Sequence, residues 1–170
     1  MTKFLIFSVV IVLSTSALLN SIEDVVLMAK NDMSKYLKAT RNCEVSHSSI
    51  KKKEESLTKG SRTIRQKAEN IYNFVKKNVK YERYANSKYG AVKTLLKGQG
   101  NCCDQAHLLV ALLRSAKIPA RYVHGKGHVW AEAYVDNKWA HLDPTNQKHG
   151  FDKPYSHKND KTTKHDTLPF

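Results

Sequence analysis

The sequence predicts an α+β fold in which N-terminal helices, and a helix that begins at a cysteine, pack on a small antiparallel sheet. Apolar residues recur at helical spacing over 21–38 and again over 63–80. A strongly apolar stretch, 102–116, starts shortly after the Gly-Gln-Gly sequence that ends at Gly100. Three segments of strand-like composition then follow in close succession, which indicates antiparallel pairing between neighbours.

The first half of the chain contains two predicted helices separated by a polar segment. Ser21 and Asp24 resemble a capping box at the start of the first helix, 21–38. The segment 39–60 is polar and rich in Lys and Ser, so a linker or loop is expected there. The second helix covers about 63–80, and its apolar face is formed by Ile64, Ala68, Ile71, Val75 and Val79.

The second half contains the remaining helices and the sheet. A short helix is expected at 90–96, and the helix 102–116 presents leucines on one face before Pro119 stops it. Asp136-Asn137 is a plausible two-residue hairpin turn, although it lacks the usual Gly. Strands are expected at 120–124, 128–135 and 138–142.

The composition indicates an anionic partner. The chain of 170 residues is long enough for one domain with a core, and its net charge is +14. Much of the excess lies in 51–100, which holds 14 Lys/Arg against 4 Asp/Glu. Such a field favours anionic partners, which include nucleic acid, acidic lipid headgroups and an acidic cell-wall polymer, and the expected partner is an anionic cell-wall polymer or a peptide substrate. The basic stretch has no finger, RNP-like or basic-zipper pattern, so no nucleic-acid partner is expected.

The N-terminus has the pattern of a secretory signal. Lys3 precedes an apolar run from Phe4 to Leu13, and small and polar residues follow up to Ala17. The run is shorter than the roughly 20 residues that a membrane-spanning helix needs. The protein is therefore expected to be secreted or extracellular, with membrane anchoring through an uncleaved segment, 4–19, as the alternative.

Three residues follow one another in an order that suits thiol catalysis. Cys102 lies in the first turn of a helix, His128 begins a strand, and Asp143 follows another strand. A helix N-terminus favours a thiolate, and its free N–H groups can stabilise an oxyanion. An imidazole activates the thiol, and a carboxylate fixes the tautomer of the imidazole. Helix geometry alone does not decide between Cys102 and Cys103, because it shows only that one of two successive residues faces the site.

The cysteine count bears on the same question. Cys43, Cys102 and Cys103 are an odd number, so at least one thiol is free or paired between molecules. A Cys43–Cys103 bridge that spares Cys102 is one option.

Three motifs carry a resemblance to a known family. The sequence GNCCD at 100–104 resembles the Gly-x-Cys-x-Asp nucleophile motif of transglutaminase-like domains, which have a papain-type catalytic centre. HVWAE at 128–132 is similar to the family's His-x-Trp-x-Glu segment, and WAHLDPT at 139–145 resembles its Trp…Asp-Pro-Thr ending. The resemblance covers about 81–146. It implies a transglutaminase-like core and assigns catalysis to Cys102, His128 and Asp143.

Within that family, the stretches 81–91, 100–104 and 121–125 look like archaeal pseudomurein endoisopeptidases, which cut peptide cross-links in the cell walls of methanogens. This resemblance implies hydrolysis of an amide or isopeptide bond through a thioester. Acyl transfer to an amine and a catalytically inactive cell-surface binding module are the alternatives. The expected parts are a signal peptide or anchor at 1–20, an N-terminal helix with a polar linker at 21–60, a catalytic domain at 61–146 and an irregular polar tail at 147–170.

Further residues have expected roles near this centre. The resemblance makes Tyr81 or Tyr84 a candidate second oxyanion donor, as upstream aromatics are in the family. Asp104 is expected to cap or orient the helix start, with a substrate contact as the alternative. His124 is expected to be a hydrogen-bonded strand histidine, again with a substrate contact as the alternative. Trp130 is expected to be a core residue.

A zinc site is the main alternative for the same part of the chain. Adjacent cysteines do not have the usual two- to four-residue ligand spacing, and a zinc site leaves Asp143 without a role. No metal and no cofactor are therefore expected to be required. Calcium dependence stays open. The sequence has no EF-hand loop, and other calcium sites have no fixed ligand spacing by which a sequence can show them. The possible zinc ligands in this alternative are Cys102, Cys103, His124 and His128.

Overall fold

The computed structural model describes residues 33–148, 150–154 and 161–168. The chain divides into an N-terminal unit, Met1–Lys35, and a larger unit, Tyr36–Phe170. In the described ranges, no helix is both long and apolar enough to cross a membrane.

Two predictions for the N-terminus fall largely outside these ranges. The signal or anchor segment 1–20 is not among the described residues, and neither is most of the helix expected over 21–38. The part that is described includes a short 3-10 turn at Lys35–Leu37.

The described α-helices are α1 (Ser48–Thr58), α2 (Ile64–Asn78), α3 (Gly90–Lys97) and α4 (Cys102–Ser115). The last three confirm the helices expected at these places. The start of α2 is fixed by a capping box, in which the Thr63 hydroxyl accepts from the Gln66 N–H and the Gln66 side chain accepts from the Thr63 N–H.

Helix α1 corrects the expectation of a linker or loop over 39–60. Its sequence is mostly Ser, Lys and Glu, so the apolar pattern is too sparse to indicate a helix. Ile50 is fully buried, and Leu57, two turns further along the same face, packs against the core. Tertiary packing of these two side chains therefore stabilises a helix that the local composition does not reveal.

The described strands form two sheets. They are β1 (Lys80–Tyr81), β2 (Gln99–Gly100), β3 (Ala120–Gly125), β4 (His128–Val135), β5 (Lys138–Leu142) and β6 (Thr163–His165). A short parallel pair joins β1 and β2, and an antiparallel sheet has the order β5-β4-β3-β6. Strands β3 to β5 confirm the three predicted strands. Asp136 and Asn137 both have positive φ, 51° and 60°, as a tight hairpin turn of the I′ type requires.

Strand β6 adds three residues of regular structure to the tail, 147–170, much of which is expected to be irregular. Its residues pair with the edge of β3, with Tyr122 opposite His165. The segment is polar and mostly exposed, so its pairing depends on a distant strand and leaves no local hydrophobic alternation to recognise. The buried Arg114 also holds this end of the chain, because its guanidinium donates to the carbonyl oxygens of Asp166, Lys38 and Ala120.

Helix α4 is the central element of the larger unit. Nearly every one of its residues is buried, and it packs against β3, β4 and the other helices. Its first turn is thereby fixed relative to the sheet, which places the N-terminal end of α4 beside the start of β4.

Candidate active site

The N-terminus of α4 presents Cys102 in a defined position. Asn101 caps the helix, since its side-chain oxygen accepts from the Asp104 N–H at 3.0 Å. Gly100 is required by close packing, because a Cβ there would lie 2.9 Å from the Cβ of Asp104. The N–H of Gln105 bonds to the Asn101 carbonyl. Neither of these two bonds uses the N–H groups of Cys102 and Cys103, which belong to the first turn of the helix.

His128 and Asp143 meet at the end of the sheet that faces Cys102. His128 Nε2 lies 2.8 Å from Asp143 Oδ2. The other carboxylate oxygen of Asp143 accepts from the N–H and the hydroxyl of Thr145, at 3.0 and 2.7 Å. The hydrogen bonds from Thr145 fix the Asp143 carboxylate. Because this carboxylate bonds to Nε2 of His128, the other ring nitrogen, Nδ1, is left for the thiol of Cys102.

The electrostatics favour a thiolate at Cys102. Its pKa is lowered by a hydrogen bond from the Cys103 thiol and, against the effect of burial, by His128 and the main-chain N–H of Val129. The pKa of Cys103 is raised, because it donates to its neighbour and is itself desolvated. Two adjacent thiols do not ionise together easily, and the imidazole beside Cys102 selects that one.

The same contacts favour the imidazolium form of His128. Burial lowers the pKa of His128, but the hydrogen bond to Asp143 and the contact with Cys102 outweigh burial and raise the pKa to about 9. A thiolate and an imidazolium can therefore coexist near neutral pH. Such a pair can attack a carbonyl carbon and then supply a proton to the leaving group.

Asp104 is fully buried and anchors the loop that precedes α3. Its carboxylate accepts five hydrogen bonds, four from this loop and one from Gly90, the first residue of α3. With both oxygens engaged inside the protein, the geometry favours the orienting role over the substrate contact. The donors are the hydroxyls of Tyr84 and Ser87 and the main-chain N–H groups of Lys88, Tyr89 and Gly90.

The two candidate oxyanion tyrosines lie in different environments. The hydroxyl of Tyr84 donates to Asp104 and accepts from the Asn101 N–H, so it is occupied in holding the loop. Tyr81 is 57% exposed. Burial and the charge of Cys102 raise the pKa of Tyr81. Since the Tyr84 hydroxyl is engaged within the loop, Tyr81 is the better suited of the two to donate to an oxyanion.

His124 lies on β3 and does not join His128. It is opposite Val129 in the register, whereas His128 is opposite Gly125. Successive strand residues point to opposite faces, so the two histidines face opposite ways. This placement does not favour the zinc alternative. In the described part of the chain, no three His, Cys, Asp or Glu side chains are grouped to hold a metal ion, and Cys43, Cys102 and Cys103 are all free thiols.

For three further groups around the centre, the sequence analysis predicts no role. Thr145 fixes the Asp143 carboxylate, and its place two residues after an aspartate was an available signal. Tyr72 on α2 donates its hydroxyl to the main-chain carbonyl of Asp143 at 3.3 Å. The Val129 N–H contacts Cys102 through the main chain, and no side-chain pattern could indicate that contact.

Comparisons with known proteins identify a family. A model of the transglutaminase-like superfamily matches residues 51–144, more than half of the chain. A candidate cysteine protease from Cytophaga hutchinsonii is 28% identical, with a TM-score of 0.63, over 71% of this chain and 45% of that one. No curated protein matches the sequence significantly.

More distant solved structures share the fold. A candidate protease from Parabacteroides distasonis is 19% identical, with a TM-score of 0.51, over 65% of this chain and 25% of that one. The periplasmic domain of TgpA from Pseudomonas aeruginosa, bound to ethylmercury, is 18% identical, with a TM-score of 0.53, over 65% of this chain and 47% of that one. The chain thus spans less than half the length of each of these structures.

Proposed function

Since the chain belongs to the transglutaminase-like superfamily, we propose that it is a cysteine-dependent amide or isopeptide hydrolase. Cys102 is the nucleophile, His128 is the general base and acid, and Asp143 orients the imidazole. The observation that carries this assignment is the position of His128, which bonds to Asp143 at 2.8 Å through one ring nitrogen and contacts the Cys102 thiol on its other side.

Acylation follows from this geometry. The Cys102 thiolate attacks the carbonyl carbon of the substrate, and the carbonyl oxygen becomes an oxyanion. The N–H groups of Cys102 and Cys103, in the first turn of α4, can donate to this oxyanion. The C–N bond then breaks, and the His128 imidazolium gives its proton to the leaving amine. The product of this half-reaction is a thioester on Cys102 and a free amine.

Deacylation uses the same residues in reverse. The neutral imidazole of His128 takes a proton from water, and the resulting hydroxide attacks the thioester carbonyl. The tetrahedral intermediate collapses, the C–S bond breaks, and the substrate acid is released with the thiolate restored. An amine in place of water gives acyl transfer, which is the alternative activity of the same centre.

The proposed substrate is a peptide cross-link, including those of an archaeal pseudomurein wall. The resemblance of 81–91, 100–104 and 121–125 to pseudomurein endoisopeptidases supports this choice. A net charge of +14 supports binding to an anionic polymer or peptide. No cofactor is needed for the steps described.

The proposed location is extracellular, by secretion or by an N-terminal anchor. Lys3 followed by the apolar run from Phe4 to Leu13 supports it. N-terminal sequencing of the protein recovered from expressing cells is the test. A new N-terminus between about Leu18 and Ile22 is expected for secretion, whereas a cytosolic product that retains Met1 contradicts both forms of the proposal.

The activity is tested by mass spectrometry of defined peptides joined by an Ala–Lys isopeptide bond. Purified protein is expected to release the two peptides with the gain of one water, and Cys102→Ala protein is expected to release none. A parallel reaction contains excess methylamine. Accumulation of the methylamide favours acyl transfer over hydrolysis, and failure of folded protein to form either product favours the inactive binding module.

A further inference from the structure

A cavity of about 420 Å³ lies between α1, α2 and α3, away from the residues that surround Cys102. Its size is in the range of ligand-binding pockets. Four of its lining residues come from α1, one from α2 and two from α3. None of them has a part in the reaction proposed above, so the cavity does not belong to that centre.

One wall of the cavity is cationic and hydroxyl-bearing. Ser49, Lys52, Lys53 and Ser56 line it. These positions are spaced by three and four residues, so they form one continuous stripe along α1. The ammonium group of Lys53 lies 4.7 Å from the centroid of the Phe74 ring, which holds it at the cavity. The acids of α1, Glu54 and Glu55, are not among the lining residues.

The opposite wall is apolar. Phe74 and Leu95 are partly buried and pack against the hydrophobic core, which makes this wall rigid. Leu96 is 70% exposed, which is unusual for a leucine on a short helix whose other apolar residues are covered. An occupant of this cavity would thus meet positive charge and hydroxyl donors on one side and hydrocarbon on the other.

We propose that this cavity binds a peptide segment that carries a carboxylate side chain next to an apolar one. The carboxylate bonds to Lys52 and Lys53 and accepts from the serine hydroxyls, while the apolar side chain covers Leu96. Charge complementarity selects an acidic occupant, since two ammonium groups line the cavity and no carboxylate does. A cavity in which an ammonium group lies beside apolar side chains suits the side chains of a peptide better than the flat surface of a bilayer.

The proposal is tested by binding, which does not depend on catalysis. The probe is a fluorescein-labelled hexapeptide of alternating Glu and Leu, with its Gln-for-Glu counterpart as comparison. Anisotropy is measured with Cys102→Ala protein, so that the probe is not turned over. The acidic peptide is expected to bind at least about tenfold more tightly than its Gln counterpart, because only the acid pairs with the ammonium groups.

Two matched double variants locate the site. Lys52→Gln with Lys53→Gln is expected to weaken binding at least about tenfold. Lys51→Gln with Lys77→Gln removes the same charge from exposed positions outside the cavity and is expected to change binding by less than about twofold. Leu96→Ser is expected to weaken binding about fivefold through lost apolar contact.

Several results would overturn the proposal. Equal losses in the two lysine double variants would show that only general charge attracts the probe, and equal affinity for the Glu and Gln peptides would remove the role of the carboxylate. Binding of phosphatidylglycerol vesicles that depends on Lys52 and Lys53 while the peptide does not bind would make the occupant a membrane. Concentration-dependent dimerisation that is lost in Leu96→Ser would make it a second copy of the chain. Failure of the proposed hydrolysis leaves all of these measurements unaffected.

Discussion

The imidazole of His128 stacks on the indole of Trp130, with ring centroids 5.8 Å apart and planes 28° apart. The ring of His141 also lies beside the indole, tilted at a centroid distance of 5.5 Å. An aromatic face attracts a cation, so this stack favours the imidazolium form of His128 and also holds its plane. The residue that the sequence assigns to the core is buried as expected, and it also supports the histidine of the candidate active site.

Replacement of Trp130 by leucine is expected to lower kcat about fivefold, which corresponds to about 1 kcal/mol of cation–π stabilisation. The pKa of His128 is expected to fall as well, because the charged ring loses its aromatic partner. NMR titration of the His128 ring and the pH dependence of kcat measure both effects. Trp130→Phe keeps an aromatic face and is expected to restore most of each. A purely structural role would give unfolding in Trp130→Leu without a shift of the His128 pKa in the folded fraction.

Exchange of each adjacent cysteine is expected to have unequal effects. Cys102→Ala removes the thiolate beside His128 and is expected to lower activity about 10⁴-fold or more. Cys103→Ala removes one hydrogen bond to that thiolate, so a loss of no more than about fivefold is expected. Hydrolysis rates and iodoacetamide labelling followed by peptide mass spectrometry are the measurements. An active Cys102→Ala protein, with labelling at Cys103, would move the nucleophile by one residue.

The elements that bury their own apolar pattern could be predicted from the sequence, and those that depend on distant partners could not. Strand β4 is rich in apolar and aromatic residues, and its predicted bounds, 128–135, are those observed. Helix α1 and strand β6 are polar, and each forms through contacts with a distant part of the chain. In the candidate site, motif order indicated Cys102, His128 and Asp143. The contact between the Val129 N–H and Cys102 could not be predicted, because it involves the main chain and does not depend on the type of residue at position 129.

The reactivity of Cys102 is expected to depend on pH in a way that reflects its charged pair. Because the pKa of Cys102 is lowered, its thiolate persists below neutrality, and alkylation by iodoacetamide at pH 6 is expected to be far faster than for an ordinary thiol. Because the pKa of His128 is raised to about 9, the imidazolium acid is present below that value, and hydrolysis is expected to fall as pH rises through about 9.

Asp143→Asn is the matched variant for this profile. The amide still orients the imidazole but does not stabilise its positive charge, so the alkaline limb of hydrolysis is expected to move to lower pH and alkylation at pH 6 to slow. Rates of alkylation and hydrolysis measured between pH 5 and pH 10 test both shifts. An unchanged profile in Asp143→Asn would mean that the carboxylate does not act on His128.

Asp104 supports the site through the loop that it anchors, so its replacement tests stability separately from chemistry. Burial raises the pKa of Asp104, but the hydrogen bonds from Ser87, Tyr84 and main-chain N–H groups outweigh burial and lower it. This contribution to stability is present above the unfolded pKa of about 4 and is lost as pH falls through the lower folded value.

Asp104→Asn places an amide where five donors converge, and an amide NH₂ group accepts none of them. Urea unfolding at pH 7 is expected to show a loss of about 3 kcal/mol or more, since several buried donors lose a charged acceptor. The difference from wild type is expected to shrink below about pH 4, where the wild-type carboxylate also begins to lose its advantage. Glu55→Gln, on an exposed part of α1, is the control and is expected to change stability by less than about 0.5 kcal/mol. A small loss in Asp104→Asn, with hydrolysis reduced mainly through KM, would instead favour a substrate contact, because a group that binds substrate affects affinity before it affects the folded loop.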